Sequence, residues 1–294
     1  MTTLTQLGED AALQQLLSVL PPAAGSLLVG PGDDCAVVPR DREWDTLLKT
    51  DALVEGVHFT PDSPPELIGR KALARAVSDI AAMGGLPEHA LVTLLVHPSR
   101  SVEHLRGIYR GLCALAAQFG IAIVGGETSS LPHDGLALSI ALTGRVERGR
   151  AILRSGGKPG DVLCVTGKLG GSFESGRHLT FTPRVEWARQ LTAGALRPHA
   201  MMDISDGLAT DLPRLARASG CDYELDTAAL PCHDGCTTRQ ALSDGEDYEL
   251  LLALPPEAAA QLPHHPYLTA IGRLIPGSAH TLSGGWQHFT PPQV

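Results

Sequence analysis

The segment at residues 69–85, GRKALARAVSDIAAMGG, is the feature that most restricts how this chain can fold. Four of its apolar residues recur with helical spacing and predict one buried face of a helix. These residues are Leu73, Ala76, Val77 and Ile80. Asp79 lies at the edge of that face, and the glycines after Met83 can end the helix in a left-handed conformation. A carboxylate at a buried face needs a partner, because an ionised group that leaves water loses its hydration.

Asp79 has two interpretations, a structural ion-paired residue or a member of a cation site. Six further acidic residues at the ends of apolar runs favour the second interpretation. They are Asp33, Asp34, Asp51, Glu127, Asp203 and Asp206. We therefore predict that acidic side chains from distant parts of the chain meet Asp79 around divalent cations.

Length and charge limit the class of protein. A chain of 294 residues suits two domains, and a shift to Arg, Gly, Lys and Pro places the predicted boundary between 1–148 and 149–294. The formal net charge of −9 argues against a nucleic-acid partner. No apolar run is long enough to span a membrane, so no membrane partner is expected. The six scattered cysteines predict a reduced, cytoplasmic protein.

Candidate site residues lie at the ends of two predicted strands in the first half. The strand Thr46–Thr50 ends at Asp51, and the buried strand Ile121–Val124 leads into two glycines and Glu127. Glycines directly after a strand suit a close approach to phosphate, although most such pairs are simple turns.

A third group of candidates lies in the second half, between a strand and the predicted helix Leu208–Ala218. Asp203, Ser205 and Asp206 lie where oxygen ligands and free N–H groups can converge on a metal–phosphate complex. A helix N-cap is the alternative, and it explains one of these acids better than two.

The composition of these segments indicates the chemistry. Carboxylates without a cage of His and Cys favour Mg²⁺, which takes oxygen ligands and often shares them with substrate phosphates. Phosphoryl transfer needs positioning and charge neutralisation rather than a protein nucleophile, and no clear nucleophile–base pair is present. The segment GKLGGS at 167–172 lacks the residue order of a P-loop. The residues alone therefore predict a Mg²⁺-dependent enzyme that acts on nucleotide phosphates.

A series of motifs resembles the thiamine-monophosphate kinase family, and together they extend over residues 30–290. In chain order they are GDDCAVV, the Thr50-Asp51 strand end with Val57-His58-Phe59, SDIAAMGG, GGET, RSGGKPGD, DISDGL, DGEDYEL and WQHF. The resemblance implies the two-domain α/β (α+β) fold shared with aminoimidazole ribonucleotide synthetase, in which the N-terminal domain binds ATP and Mg²⁺ and contributes strands to a dimer barrel. It also implies a homodimer that transfers the γ-phosphoryl group of ATP directly to thiamine monophosphate.

The resemblance assigns roles residue by residue. The positions that match metal ligands for several Mg²⁺ ions are Asp33, Thr50, Asp51, Asp79, Glu127, Asp203 and Asp206. The positions that match contacts to ATP are Gly126, Arg154 and Ser205, with Tyr109 a weaker match. The positions that match contacts to the thiamine phosphate are His58, Glu246 and Trp286. No residue is expected to act as a covalent nucleophile.

Three positions depart from the family pattern. Glu127 stands where Asp is usual, Lys49 where a small hydroxyl residue is usual, and Asp244 where glycine is usual. An ammonium group on the same strand face as Asp51 can take the place of one cation. The sequence therefore predicts one metal ion fewer at this corner of the site.

Other functions remain open at this point. The first cysteine is Cys35 and the chain ends Pro-Pro-Gln-Val, which disfavours selenophosphate synthetase and the hydrogenase-maturation dehydratase. Aminoimidazole ribonucleotide synthetase activity is harder to exclude, although the DGEDYEL strand favours the thiamine enzyme. A catalytically silent protein that binds nucleotide or thiamine phosphate is the alternative from a different class.

Overall fold

The computed structural model describes residues 2–21, 25–193 and 197–289, and it contains two five-stranded sheets that follow one another along the chain. The first sheet ends at Glu147 and the second begins at Val162, so each predicted half has a sheet of its own. The boundary between residues 148 and 149 stays a prediction. None of the helices in the described ranges combines the length and the hydropathy that crossing a bilayer requires.

The first sheet is antiparallel except for its last pair of strands. Its strands are β1 (Ala36–Pro39), β2 (Trp44–Val54), β3 (Leu86–Val96), β4 (Ala122–Ser130) and β5 (Leu136–Glu147). They lie in the order β1-β2-β5-β3-β4, and only β3 and β4 run parallel. Strands β3 and β5 alternate buried and more exposed residues, so one face of this sheet packs on the core.

The second sheet is antiparallel throughout. Its strands are β6 (Val162–Thr166), β7 (Ala200–Ile204), β8 (Asp222–Leu225), β9 (Glu249–Leu254) and β10 (Leu268–Ile275). They lie in the order β7-β9-β6-β10-β8. The interior strand β9 is buried along its whole length, as expected for a sheet covered on both faces.

Eight α-helices accompany the sheets in the described part of the chain. They are α1 (Leu4–Leu7), α2 (Glu9–Ser18), α3 (Pro65–Ala82), α4 (Val102–Phe119), α5 (Val185–Ala193), α6 (Leu208–Ala218), α7 (Thr238–Ser243) and α8 (Pro256–Ala259). Helix α3 packs against β2 and β5 of the first sheet, and also against α5 and β7 of the second half. It is therefore the element through which the two halves meet.

Helix α3 begins at Pro65 and is buried on more than one face. The prediction of a single apolar face was wrong in this respect, because the second half covers the face that a lone domain would leave in water. As a result Lys71, Ser78 and Asp79 are all buried. The predicted left-handed end is confirmed at Gly84, which has φ +72°.

Helices α3 and α4 approach each other closely at two glycines. A Cβ atom on Gly69 would lie 1.8 Å from the carbonyl oxygen of Ile108, and one on Gly111 would lie 1.8 Å from the carbonyl oxygen of Glu66. The two backbones are thus in direct contact, which holds α3 in a fixed position below the first sheet.

Two predicted strand ends were wrong. Strand β2 continues past Asp51 to Val54, so Asp51 lies in the interior of the strand and pairs with Ile140. Strand β4 runs through the predicted glycine turn to Ser130, and it is an exposed edge strand rather than a buried one. Gly126 is required by the strand itself, since a Cβ there would lie 1.9 Å from the carbonyl oxygen of Val92.

The glycine contact between α3 and α4 predicts a large effect of a single methyl group. Gly69→Ala should lower the free energy of unfolding by about 2 kcal/mol or more, because overpacking against a backbone outweighs the gain in helix propensity. Chemical denaturation measures this value. The control is Gly149→Ala, whose new Cβ meets nothing within 4 Å at φ +66° and should cost about 1 kcal/mol. Equal costs for the two variants would contradict the contact.

Candidate functional site

A cluster of three buried carboxylates lies where the two halves meet. Oxygen atoms of Asp34, Asp79 and Asp203 all lie within 4.8 Å of one another. Asp34 and Asp79 come from the first half and Asp203 comes from the second. Acidic residues that are far apart in the sequence therefore converge at one point. Of the neighbours Asp33 and Asp34, which were both expected near Asp79, Asp34 is the member of this group of three.

Each member of the cluster is placed by a different kind of element. Asp34 follows a glycine turn directly before β1, Asp79 lies in the last turn of α3, and Asp203 lies near the end of β7. The hydroxyl group of Ser78 donates a 2.6 Å hydrogen bond to Asp203 Oδ2, which joins α3 to β7. The cluster is thus part of the contact between the halves.

Two of the three carboxyl groups in the cluster, those of Asp79 and Asp203, have raised pKa values. Burial raises the pKa of Asp79 well above its ordinary value, Lys49 opposes this shift, and the neighbouring Asp203 adds to it. Burial, together with the charge of Asp34, raises the pKa of Asp203 to about 6. Asp34 Oδ2 is buried and has no hydrogen-bond partner among the described residues. A bound cation would satisfy that atom and favour the ionised forms of the other two.

Basic side chains contact the acidic residues around this cluster. Lys49 Nζ lies 2.6 Å from Asp79 Oδ1, and Arg154 Nη2 lies 2.6 Å from Asp34 Oδ1. The backbone N–H of Arg154 also donates to Asp33 at 3.2 Å. The predicted ligands Asp51 and Asp206 pair with Arg75 and Arg214 in the same way.

A cavity of about 220 Å³ lies beside these acidic residues and draws its wall from both halves. It is lined by Val57, His58, Arg75, Phe173, Ser205, Asp206, Asp244, Glu246, Tyr248, Trp286 and His288. Arg75 links the cavity to the acidic region, because it donates to Asp51 at 3.0 Å and approaches Glu246 Oε1 to 4.0 Å. The mixture of aromatic and acidic side chains suits a flat, positively charged ligand.

The three residues predicted to contact the thiamine phosphate, namely His58, Glu246 and Trp286, lie together in this cavity. The backbone N–H of Trp286 donates to the carbonyl oxygen of Asp206 at 2.8 Å, which fixes the tail segment against the site. Trp286 remains 49% exposed although it lines the cavity. Burial, assisted by the charge of Arg75, lowers the pKa of His58 to about 4, so this imidazole is neutral near pH 7.

Glu246 stays ionised although it is largely buried. Burial alone would raise its pKa, but His178, Lys71 and Arg75 together lower the pKa of Glu246 to about 2. Its backbone has φ +59°, which is unusual for a residue other than glycine, and its N–H donates to the carbonyl oxygen of Ser205 at 2.7 Å. The loop therefore holds a permanent negative charge at the cavity wall.

The turn after β7 is held by an acid that the sequence analysis did not select. Asp211 is fully buried in the first turn of α6, and its Oδ2 accepts hydrogen bonds from the backbone N–H groups of Ser205 and Asp206 at 3.0 Å each. Asp211 therefore shapes the loop that carries two predicted site residues. Its position three residues into a helix that follows two acids was the available signal.

Seven predicted residues belong neither to the cluster nor to the cavity lining: Asp33, Asp51 and Arg154, which are described above, and Thr50, Gly126, Glu127 and Tyr109. Thr50 is on an exposed face of β2, with its hydroxyl 3.4 Å from that of Ser139. Glu127 and Gly126 lie on the exposed edge strand β4, where Glu127 accepts a hydrogen bond from Ser129. Tyr109 is an exposed residue of α4. Their predicted roles stay predictions.

Two protein-family models match the chain, the AIR synthase related protein N-terminal domain over residues 32–146 and the C-terminal domain of the same family over residues 158–283. The fold and the site between its halves thus define an AIR synthase related protein. The predicted two-domain α/β fold is confirmed.

Individual relatives narrow this class. The chain is 37% identical to the thiamine-monophosphate kinase of Rhodopirellula baltica, with 84% of this chain and 83% of that protein covered. It is 32% identical to the thiamine-monophosphate kinase of Mycobacterium tuberculosis, with 99% and 94% covered. The solved structure of AaThiL complexed with AMPPCP and TMP is 31% identical, superposes with a TM-score of 0.86, and is covered to 99%, with 98% of this chain. The chain belongs to the thiamine-monophosphate kinase family.

Proposed function

We propose that this protein transfers the γ-phosphoryl group of ATP to the phosphate of thiamine monophosphate and forms thiamine diphosphate. The observation that carries the proposal is the convergence of Asp34, Asp79 and Asp203 beside a cavity that contains Glu246 and Trp286. The names of the relatives support the reaction, and the complex of AaThiL with AMPPCP and TMP supports ATP and the thiamine phosphate as the two substrates.

We assign the acidic residues to Mg²⁺. The cluster supplies only carboxylate oxygens, the ligands that Mg²⁺ prefers, and the unpartnered oxygen of Asp34 fits a cation at its centre. Other proposed ligands are Asp33, Thr50, Asp51, Glu127 and Asp206. Bound Mg²⁺ would supply charge neutralisation on the transferred phosphoryl group. Asp51 and Asp206 can act as Mg²⁺ ligands only if each binds the ion while it also remains paired with Arg75 or Arg214.

The remaining residues bind and orient the substrates. Arg154 and Ser205, with Gly126 and Tyr109 on the exposed side of the first half, are proposed contacts to ATP. Trp286 stacks on the positively charged thiamine ring, and Glu246 provides the opposite charge. Neutral His58 lines the same cavity, and its Nδ1 accepts a 3.0 Å hydrogen bond from the backbone N–H of Val54. In this account the protein holds the two phosphates in line, and no side chain acts as a nucleophile.

We also propose a homodimer in the cytoplasm. The edge strand β4 is exposed along almost its whole length, and an apolar hollow on the same sheet is lined by Leu48, Leu91 and Val124. Unpaired edges and apolar sheet faces of this kind are usually covered by another chain. The six cysteines, which all lie in the described ranges, are free thiols, as expected in a reducing compartment.

An assay with ATP, Mg²⁺ and thiamine monophosphate tests the reaction. The proposal expects thiamine diphosphate and ADP in equal amounts. Binding of both substrates without turnover would instead identify a silent binding protein, and the ion pair between Lys49 and Asp79 is the observation that favours that alternative.

Asp79→Ala separates the catalytic from the structural interpretation of this residue. We expect kcat to fall about 100-fold or more, with KM for thiamine monophosphate changed less than about threefold, because charge neutralisation acts in the transition state. Steady-state kinetics measures both constants. Asp234→Ala removes an exposed ion pair with Lys168 and should leave both constants unchanged. Equal losses in kcat and in thiamine-phosphate affinity would make Asp79 a structural residue.

The position of Lys49 predicts that a variant without its ammonium group binds more metal ions than the wild type. Its ammonium group occupies one side of Asp79, so Lys49→Ser should free a carboxylate oxygen for an additional cation. Equilibrium dialysis with Mn²⁺ and a non-hydrolysable ATP analogue should show one more bound ion per chain in the variant than in the wild type. The same stoichiometry in both proteins would rule out the substitution of a cation by Lys49.

A further inference from the structure

A fully buried ammonium group lies directly behind the cavity wall. Lys71 projects from α3 with 0% of its surface exposed, and it is not among the residues that line the cavity. Burial of a lysine is costly, and a buried ion pair can often be replaced as a whole by apolar residues of similar volume at no loss of stability. The position of Lys71 therefore calls for a reason other than packing.

The ammonium group has three N–H donors, and three acceptors surround it. They are the carbonyl oxygen of His58 at 2.5 Å, Nδ1 of His178 at 2.7 Å, and Oε2 of Glu246. Each N–H donor therefore has one polar atom within hydrogen-bond distance.

The acceptors come from separate parts of the cavity wall. His58 belongs to the first half, whereas His178 and Glu246 belong to the second. The ring of His178 stacks on Phe173 with 4.3 Å between ring centroids, and Phe173 itself lines the cavity. Lys71 thus joins the two sides of the wall from behind.

The two oxygens of the Glu246 carboxylate have different partners. Oε2 faces Lys71 and lies 3.3 Å from His178 Nδ1. Oε1 accepts from the hydroxyl group of Tyr248 at 3.3 Å and lies 4.0 Å from Arg75. A single rotation of this side chain would break the bond to Lys71, so the ammonium group selects one orientation of the carboxylate.

We propose that Lys71 is a positioning residue that orients the Glu246 carboxylate toward the positively charged ring of the substrate and so determines affinity for the thiamine phosphate. The proposal rests on the proposed function. Lys71 acts through Glu246 and has no contact of its own with the cavity. Loss of Lys71 removes the contact that holds Oε2, so the Glu246 carboxylate is free to rotate out of the orientation that serves the ligand.

A double-mutant cycle in the full chain tests this mechanism, with the variants Lys71→Met, Glu246→Gln and the two combined. Lys71→Met should raise KM for thiamine monophosphate about tenfold, with kcat within about threefold and KM for ATP unchanged, because one charge-assisted contact is lost. In the Glu246→Gln background the same replacement should change KM less than about threefold.

Lys71→Arg provides a second cycle in case the buried carboxylate prevents Lys71→Met from folding. The guanidinium keeps the charge but is too large for the three acceptors, so it should raise the same KM when Glu246 is present and not when Glu246→Gln is present. Lys168→Met is the control, since Lys168 forms an exposed ion pair with Asp234 and should change neither constant.

The outcomes separate this proposal from the proposed function. A wild-type protein without kinase activity would refute the function itself. An active wild type in which loss of Lys71 lowers kcat at constant KM, or raises KM equally with and without Glu246, would overturn the role of Lys71. A loss of affinity that depends on Glu246 supports it.

Discussion

The structure depends on the burial of helix α3 between two sheets. Its apolar residues pack on the first sheet, while Lys71, Arg75, Ser78 and Asp79 recur at helical spacing. Lys71 and Ser78 contact Glu246 and Asp203 of the second half, and Arg75 and Asp79 contact Asp51 and Lys49 of the first half. Every ionised group among them therefore has a partner of opposite charge. The contact between the halves is therefore a network of charges as well as a hydrophobic core.

This network has a functional consequence. Charges that must be balanced for the chain to fold are the same charges that a phosphate-binding site requires, so folding and binding act on one set of residues. The C-terminal end of α3 contributes Asp79 to the carboxylate cluster, and its middle contributes Arg75 to the cavity lining and Lys71 to the buried region behind it. A single rigid helix thus sets the distance between the proposed metal site and the proposed thiamine site, which in-line transfer requires.

Much of this organisation is readable from the sequence, because it rests on local patterns. The spacing of apolar residues predicts α3, and the acids at the ends of apolar runs predict Asp79 and Asp203 as neighbours. The roles of Lys71 and Asp211 were not predictable in the same way. From the sequence alone, Lys71 is interpreted as a solvated residue, because only the fold shows that the second half covers it. Asp211 is interpreted as an acid in the first turn of a helix, because only the fold shows that it accepts hydrogen bonds from the backbone of Ser205 and Asp206. Edge strand β4 was misread because a run of apolar residues does not reveal whether a neighbouring chain will cover it.

The central claim is that both halves hold the same divalent cations. The most direct measurement is an anomalous difference map from crystals grown with Mn²⁺, a non-hydrolysable ATP analogue and thiamine monophosphate. If both halves share a metal site, we expect at least one Mn²⁺ peak within about 2.5 Å of carboxylate oxygens from both Asp79 and Asp203, with the nucleotide phosphates on the open side of the ion. Peaks bound by residues of one half alone, with Asp79 and Asp203 contacting only protein groups, would contradict it.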